Sequence, residues 1–259
     1  MSLTKTYLQQ VAAILEKIQA QEAAIQQAAG WFAETILAGR MVHTFGSGHS
    51  RIMVEEMWPR YGSFPGFNPI VELALTNHNN VVGPNGQRQA MFLENVPGFA
   101  ERVLRNFGLD QKDSALIISS SGCNIVPVEM AELFQQRGIR VVAIVTKAHL
   151  EASSSKRTDG KKLSDFADLV IDTGAPAGDS MIKIDGLETP VSPGSTAGGV
   201  MIINSIKAEL AKKLTDAGQP PKVLTAACVL GAEKAAALFE AAYDEHAHRL
   251  AELYRQAGK

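Results

Sequence analysis

The stretch ALIISSSGCNIVPVEMAELFQQRG, residues 115–138, decides how this chain is read. It opens on four consecutive apolar residues, Ala115, Leu116, Ile117 and Ile118, with none of the polar alternation of a half-exposed strand. Such a run suits a short strand buried on both faces. Serines and a glycine follow, and a helical segment is expected over 124–136. The same grammar recurs in both directions along the chain. Upstream, Met41-Val42-His43-Thr44-Phe45 runs into Gly46, with a helical segment starting at Ser50; downstream, 140–145 runs into Thr146, and 169–172 is a further strand candidate. Short buried strands alternating with helices imply a parallel sheet covered on both faces, so 40–215 is expected to be a doubly wound α/β core. Ligands of such folds sit at the carboxyl ends of the strands, where loops enter helices.

Outside that core the pattern is helical. Leu8, Val11, Leu15, Ile18 and Ile25 recur at helical spacing and predict one amphipathic helix over 3–29, punctuated by Gly30 and followed by a short helix over 31–37. Residues 196–214 and 231–257 are expected to be helices, joined through Pro220-Pro221 and an apolar run at 223–230. No internal repeat or low-complexity linker divides the chain. The expected organisation is one α/β domain over 1–259: an N-terminal helical segment (1–39), the core (40–215) and a C-terminal extension with a helix (216–259).

The 259 residues carry 25 Lys+Arg against 27 Asp+Glu, a net charge of −2, and 46% are hydrophobic. That apolar content excludes wholesale disorder, and the balanced charge argues against nucleic acid or an anionic membrane as partner. There are two cysteines, Cys123 and Cys228, and no CxxC spacing. His246 and His248 are two apart on a helix, hence on different faces, so no metal or other cofactor is expected. With neither a signal-peptide pattern nor an uninterrupted apolar span, the expectation is a cytoplasmic protein.

Three loops rich in small residues carry the chemistry: GSGHS at 46–50, SSSGCN at 119–124 and SPGST at 192–196. Each precedes a helix N-terminus, where exposed N–H groups and the helix dipole favour an anion and serine hydroxyls add neutral donors. Phosphate can be held this way without lysine. Neither GSGHS nor SSSGCN fits the GxxxxGK[ST] or GxGxxG pattern, which argues against a nucleoside triphosphate or dinucleotide.

In this order the loops resemble those of the sugar isomerase (SIS) domain family, whose members bind phosphosugars on a five-stranded parallel sheet and usually pair as dimers. The resemblance covers residues 35–215 and rests on SSSGCN, on GSGHS upstream, and on the helix opened by SPGST. It implies that Ser119, Ser120, Ser121, Gly122 and Asn124 hold the phosphate, and that Ser47, Ser50, Ser195 and Thr196 complete the pocket. The segment Val54-Glu55-Glu56-Met57-Trp58-Pro59-Arg60 resembles the stretch of phosphoheptose isomerases that carries a catalytic glutamate and a substrate-facing arginine. Glu56 and Arg60 occupy those positions. A carboxylate beside a C2 proton is a base for aldose–ketose isomerisation through an enediol. Pro59 disfavours helical geometry at Trp58, which argues against Glu56 and Arg60 facing each other on one helix.

The sequence departs from that pattern at Asn204, where phosphoheptose isomerases carry a histidine, since asparagine shuttles no proton at neutral pH. His49, inside the first loop, and His78, in the polar run 76–80, are the candidate replacements. Glu72 and Glu94 are expected to have surface roles, His43 to be packed in a strand, Cys123 to be a small loop residue, and Lys156, Arg157, Lys161 and Lys162 to lie on a solvated loop. The expected function is a phosphosugar-binding protein, an aldose–ketose isomerase with Glu56 as base. The alternatives are a non-catalytic phosphosugar sensor and an amino-sugar-phosphate deaminase or lyase/etherase. The expected partners are a small phosphorylated sugar and a second copy of the chain, as a homodimer or dimer of dimers with shared sites.

Overall fold

The computed structural model describes residues 2–76, 86–255 and 257. In chain order the elements are α1 (Leu3–Gln19), α2 (Glu22–Leu37), β1 (Val42–Gly46), α3 (Arg51–Met57), β2 (Phe67–Ile70), α4 (Leu73–Thr76), α5 (Gly86–Leu93), α6 (Phe99–Leu104), β3 (Ser114–Ile118), α7 (Ile125–Gln135), β4 (Arg140–Val145), α8 (Lys147–Ala152), β5 (Leu169–Asp172), α9 (Ser195–Asp216), α10 (Ala227–Leu230) and α11 (Ala232–Arg255). The five strands form one parallel sheet in the order β2-β1-β3-β4-β5. The chain therefore runs outward from β1 to β2, then crosses back to place β3 on the other side of β1.

Alternate strand residues divide the core in two. Val42, Leu116, Ile118, Val142, Ile144 and Ile171 pack with α1, α2, α3 and α9. Phe45, Ala115, Ile117, Val141, Ala143 and Val145 pack with α6 and α7. Both faces are covered, which explains why the central strands are continuously apolar. His43 is fully buried in β1, as expected of a packed strand histidine; it stacks on Phe134, and its Nε2 lies 3.2 Å from Asp113 Oδ2. Burial alone would raise the Asp113 carboxyl, but His43 and Arg40 hold it below the usual carboxylate range.

Two local expectations fail for physical reasons. The helix expected over 3–29 is two helices, broken at Ala20 and Gln21. Gln21 uses its side-chain amide on edge strand β5, donating to Asp172 O at 2.9 Å and accepting from Asp172 N at 2.8 Å. Gly30, expected to end the helix, lies inside α2. The fifth strand, β2, contains Pro69, which disguises it in the sequence. A proline is tolerated there because β2 is an edge strand.

The outer helices fix the frame. Helix α9 lies so close to the end of β5 that a Cβ on Gly198 would sit 2.1 Å from Thr173 O. Helix α11 packs Tyr243 and His246 on Trp58, and Arg249 donates to Arg40 O at 3.0 Å, just before β1. Helix α1 buries Ile14 and Ile18 but leaves Leu8 and Leu15 exposed. No helix among the described residues is long and apolar enough to cross a membrane.

Two glycine replacements test this packing with opposite signs. A Cβ on Gly30 meets nothing within 4 Å, so Gly30→Ala is expected to stabilise the fold by about 1 kcal/mol through helix propensity. Gly198→Ala must push α9 off β5 and is expected to cost about 1–3 kcal/mol or more. Thermal or urea unfolding of the two variants checks both signs.

Candidate functional site

The three small-residue loops meet in one cleft at the carboxyl ends of the strands. Parallel pairing sets Gly46 opposite Ile118, so the loops leaving β1 and β3 start side by side. Ser47, His49 and Ser50 from the first loop, Ser119, Ser120, Ser121 and Asn124 from the second, and Ser195 and Thr196 from α9 all line a cavity of about 310 Å³. This is the point where the strand order reverses, the usual ligand position in an open α/β sheet.

The loop after β3 is built to present its donors. Gly122 has φ of +61°, and a Cβ there would sit 2.7 Å from Leu150 Cδ1, so glycine is required. Its carbonyl accepts from Leu163 N at 2.8 Å, and Cys123 O accepts from Lys156 N at 2.9 Å. Ser119 Oγ accepts from Gly122 N at 3.2 Å, while Ser120 Oγ donates to Thr146 Oγ1 at 3.0 Å. The basic run behind the loop is not simply solvated, as expected from its composition. Arg157 pairs with Glu132 at 2.7 Å and with Asp159 at 2.5 Å, and Lys162 Nζ donates to Leu150 O at 2.6 Å. These residues buttress the loop. Cys123 is buried, and burial pushes its thiol above the usual range in spite of Lys162 and Lys156.

The third loop carries a carboxylate of its own. Asp179, at the positive φ of 58°, accepts from Gly194 N at 3.0 Å, Ser195 N at 2.7 Å and Ser195 Oγ at 2.5 Å. The N-terminus of α9 is therefore already capped by an anion from the same chain. That leaves the loop after β3 as the end of the cleft without an internal anion; in the first turn of α7, Val126 N already donates to Glu94 O at 2.9 Å and Pro127 has no N–H to offer.

Glu94, assigned a surface role from the sequence, lines the cleft instead. Ser47 Oγ donates to Glu94 Oε2 at 2.6 Å, and Asn124 donates from the neighbouring loop. Burial pushes the Glu94 carboxyl above the usual range, and these two hydrogen bonds only partly offset it. His149, at the start of α8, also lines the cleft and was not singled out in the sequence. The available signal was its place three residues past Thr146 at a strand end.

Glu56 and Arg60 do not line this cleft; with Pro59, Tyr61 and Phe239 they border a separate open depression. Trp58 is extended, as Pro59 requires, yet Arg60 Nη1 still reaches Glu56 Oε2 at 2.5 Å around the turn. Glu56 Oε1 accepts from Asn204 Nδ2 at 2.7 Å, and buried Lys207 donates to Glu56 O at 2.8 Å. Burial would raise the Glu56 carboxyl, but Asn204, Arg60 and the Lys207 charge hold it below the usual range. His78 lies outside the described residues.

A profile of the SIS domain matches residues 6–146. The chain belongs to the SIS domain family. It is 30% identical to a UPF0309 protein of Listeria innocua over 98% of this chain and 96% of that one. It is 32% identical to a UPF0309 protein of Thermoanaerobacter pseudethanolicus over 98% of each. Among solved structures, a phosphoheptose isomerase from Neisseria gonorrhoeae aligns with TM-score 0.48 and 14% identity, covering 82% of this chain and 96% of that one. The Vibrio vulnificus NanR protein complexed with ManNAc-6P aligns with TM-score 0.41 and 14% identity, covering 80% and 62%.

The raised Glu94 carboxyl has a thermodynamic signature. The folded state takes up a proton at higher pH than the unfolded chain, whose reference value is 4.5. Wild-type protein therefore gains stability as pH falls through the folded value, and at neutral pH it bears the cost of a buried charge. Glu94→Gln removes that cost, so it is expected to raise the melting temperature at pH 7. The advantage should shrink as pH approaches 4.5. Melting curves of both proteins across this interval measure it.

Proposed function

We propose that the cleft binds a phosphorylated sugar and that the protein is an aldose–ketose sugar-phosphate isomerase with Glu94 as its base. The observation that carries this reading is the position of Glu94: a partly desolvated carboxylate, held by Ser47 and Asn124, between the two loops at the switch point of the sheet. A base whose affinity for protons is raised by burial is suited to take a carbon-bound proton at neutral pH. A cleft of about 310 Å³ is at the small end of ligand sites and suits a monosaccharide phosphate.

In this reading the phosphate rests on the loop after β3, at Ser119 and Ser121, and the sugar extends toward Ser195 and Asp179. Glu94 takes the proton from C2 of the aldose. The electrons form the C1–C2 double bond, and the carbonyl oxygen accepts a proton to give the enediol. The O2 hydroxyl then loses its proton, its carbonyl forms, and Glu94 returns the carbon-bound proton to C1. Composition is unchanged and no oxidant or cofactor enters. His49, on the 48–50 turn, moves the hydroxyl proton. Glu94 takes the role that the family resemblance suggested for Glu56, because Glu56 lies outside the cleft of its own chain and is engaged by Arg60 and Asn204.

Incubation with a panel of sugar phosphates in deuterated water tests the chemistry, with deuterium at C1 or C2 as the expected result. Glu94→Gln should still bind and should exchange about 10²- to 10⁴-fold more slowly. Ser119→Ala and Ser121→Ala should each weaken binding about tenfold, the value of a hydrogen bond to a charged group. Binding without exchange across the panel overturns the isomerase and favours a phosphosugar sensor. Release of ammonia or lactate favours a deaminase or an etherase.

Self-association belongs to the same proposal. Leu8 and Leu15 are exposed on α1, and Leu15 borders a groove with Ile25 and Met201. Light scattering should find a dimer or larger assembly, and replacing both leucines by glutamate should give a monomer.

A further inference from the structure

Two serine–carboxylate pairs line the cleft. Ser47 Oγ donates to Glu94 Oε2 at 2.6 Å, and Ser195 Oγ donates to Asp179 Oδ2 at 2.5 Å. An ionised carboxylate only accepts, so each serine commits its proton to its partner and retains only lone pairs for a ligand. These four groups therefore offer acceptors, which suit the hydroxyl donors of a sugar. The described lining holds neither lysine nor arginine, and residues 77–85 contain neither type. An oxyanion placed against these groups meets negative charge and finds no lysine or arginine to offset it.

Asp179 is the fixed member of the set. It accepts from Gly194 N, Ser195 N and Ser195 Oγ at the start of α9, a helix of 22 residues. The position an exogenous anion would take at that N-terminus is filled by the protein's own carboxylate. The backbone is shaped for this: Gly178 and Asp179 both have positive φ, 76° and 58°, a region that aspartate tolerates better than most residues. Ile182 and Val191 then exchange both backbone hydrogen bonds at 2.9 Å, which returns the chain to Gly194. Beside Gly194 the space is full, since a Cβ there would lie 2.6 Å from Met181 Sδ and 2.8 Å from Ile14 Cδ1. The carboxylate is thus held in place as part of the wall.

We propose that Asp179 is a specificity-determining residue: its carboxylate admits the hydroxyl-bearing end of a sugar monophosphate and excludes a second anionic group there, as in a sugar bisphosphate or a phosphorylated sugar acid. This role rests on the phosphosugar reading of the cleft, in which the phosphate occupies the loop after β3 and the sugar extends toward Ser195 and Asp179. Glu94 contributes less to the exclusion. Burial already raises its carboxyl, so it relieves the repulsion by taking up a proton.

Two matched pairs of ligands test the assignment, each sharing a 6-phosphate and differing at C1: fructose 6-phosphate against fructose 1,6-bisphosphate, and glucose 6-phosphate against 6-phosphogluconate. Calorimetry with the full chain at neutral pH should find the first member of each pair bound at least about tenfold tighter. Asp179→Asn keeps an acceptor oxygen for Gly194 N and Ser195 N and tolerates the positive φ, but it removes the charge. It should cut the ratio about tenfold in both pairs. Asp179→Gly also suits the positive φ and frees the N-terminus of α9, so it should cut the ratio at least as far. Ser195→Ala loses a hydrogen bond but leaves the Asp179 charge and should keep the wild-type ratio, while Glu94→Gln should shift it less than Asp179→Asn. A ratio unchanged in both Asp179 variants overturns the assignment, as does a ratio moved equally far by Ser195→Ala or Glu94→Gln. Equal affinity within either pair in the wild type also overturns it and leaves phosphosugar binding standing. The expected ratios without deuterium exchange uphold it and overturn only the isomerase. No binding of any of the four ligands overturns both the assignment and the phosphosugar reading.

Discussion

The pairing of β1 with β3, with Gly46 opposite Ile118, is the constraint on which the rest of the molecule depends. Both strands run the same way, so both must be followed by a connection that leaves the sheet from the same edge. The chain goes to β2 on one side of β1 and to β3 on the other. Two connections diverging from neighbouring strands cannot fill the space between them, and a cleft opens there. The loops 46–50 and 119–124 become its walls. Ser47 and Asn124, far apart in the chain, can then grip the same carboxylate.

The electrostatics of that cleft follow from what surrounds it. Helix N-termini and hydroxyls supply positive potential without a formal cation, which reconciles an oxyanion site with a net charge of −2. The N-terminus of α9 is neutralised internally by Asp179, so it offers no free positive end to an exogenous anion. Glu94 is kept a proton-seeking carboxylate by burial. Glu56 has the opposite environment: hydrogen bonds and a nearby ammonium outweigh its burial and stabilise its charge. Two glutamates close to the same fold motif are thus tuned in opposite directions by their neighbours.

Much of the fold was legible because its signals are local. The apolar runs at β1, β3 and β4 need no tertiary information to be recognised as buried strands, the run at β5 is recognised as a strand although only its Ile171 is buried, and the small-residue loops announce tight strand-to-helix turns. Where the reading slipped, a distant contact outweighed the local pattern. Pro69 is compatible with a strand only because β2 lies at the edge of the sheet. The break between α1 and α2 has no glycine or proline to mark it; Gln21 is drawn onto the backbone of Asp172, 151 residues away.

The candidate site divides along the same line. Residue type and order along the chain were enough to establish a parallel α/β sheet and serine-rich loops suited to a phosphate, because strand burial, helix dipoles and tight turns are properties of short segments. The company each titratable group keeps was not available from order alone. Glu94 and His149 carry no motif, and their place in the lining of the cleft is set when the chain closes over the carboxyl ends of the strands. Glu56 carries a persuasive motif, yet its placement turns it away from the loops and toward Arg60, Asn204 and Lys207. Desolvation and charge act through space over a few ångströms, and which residues share that space is decided when the helices close over the sheet.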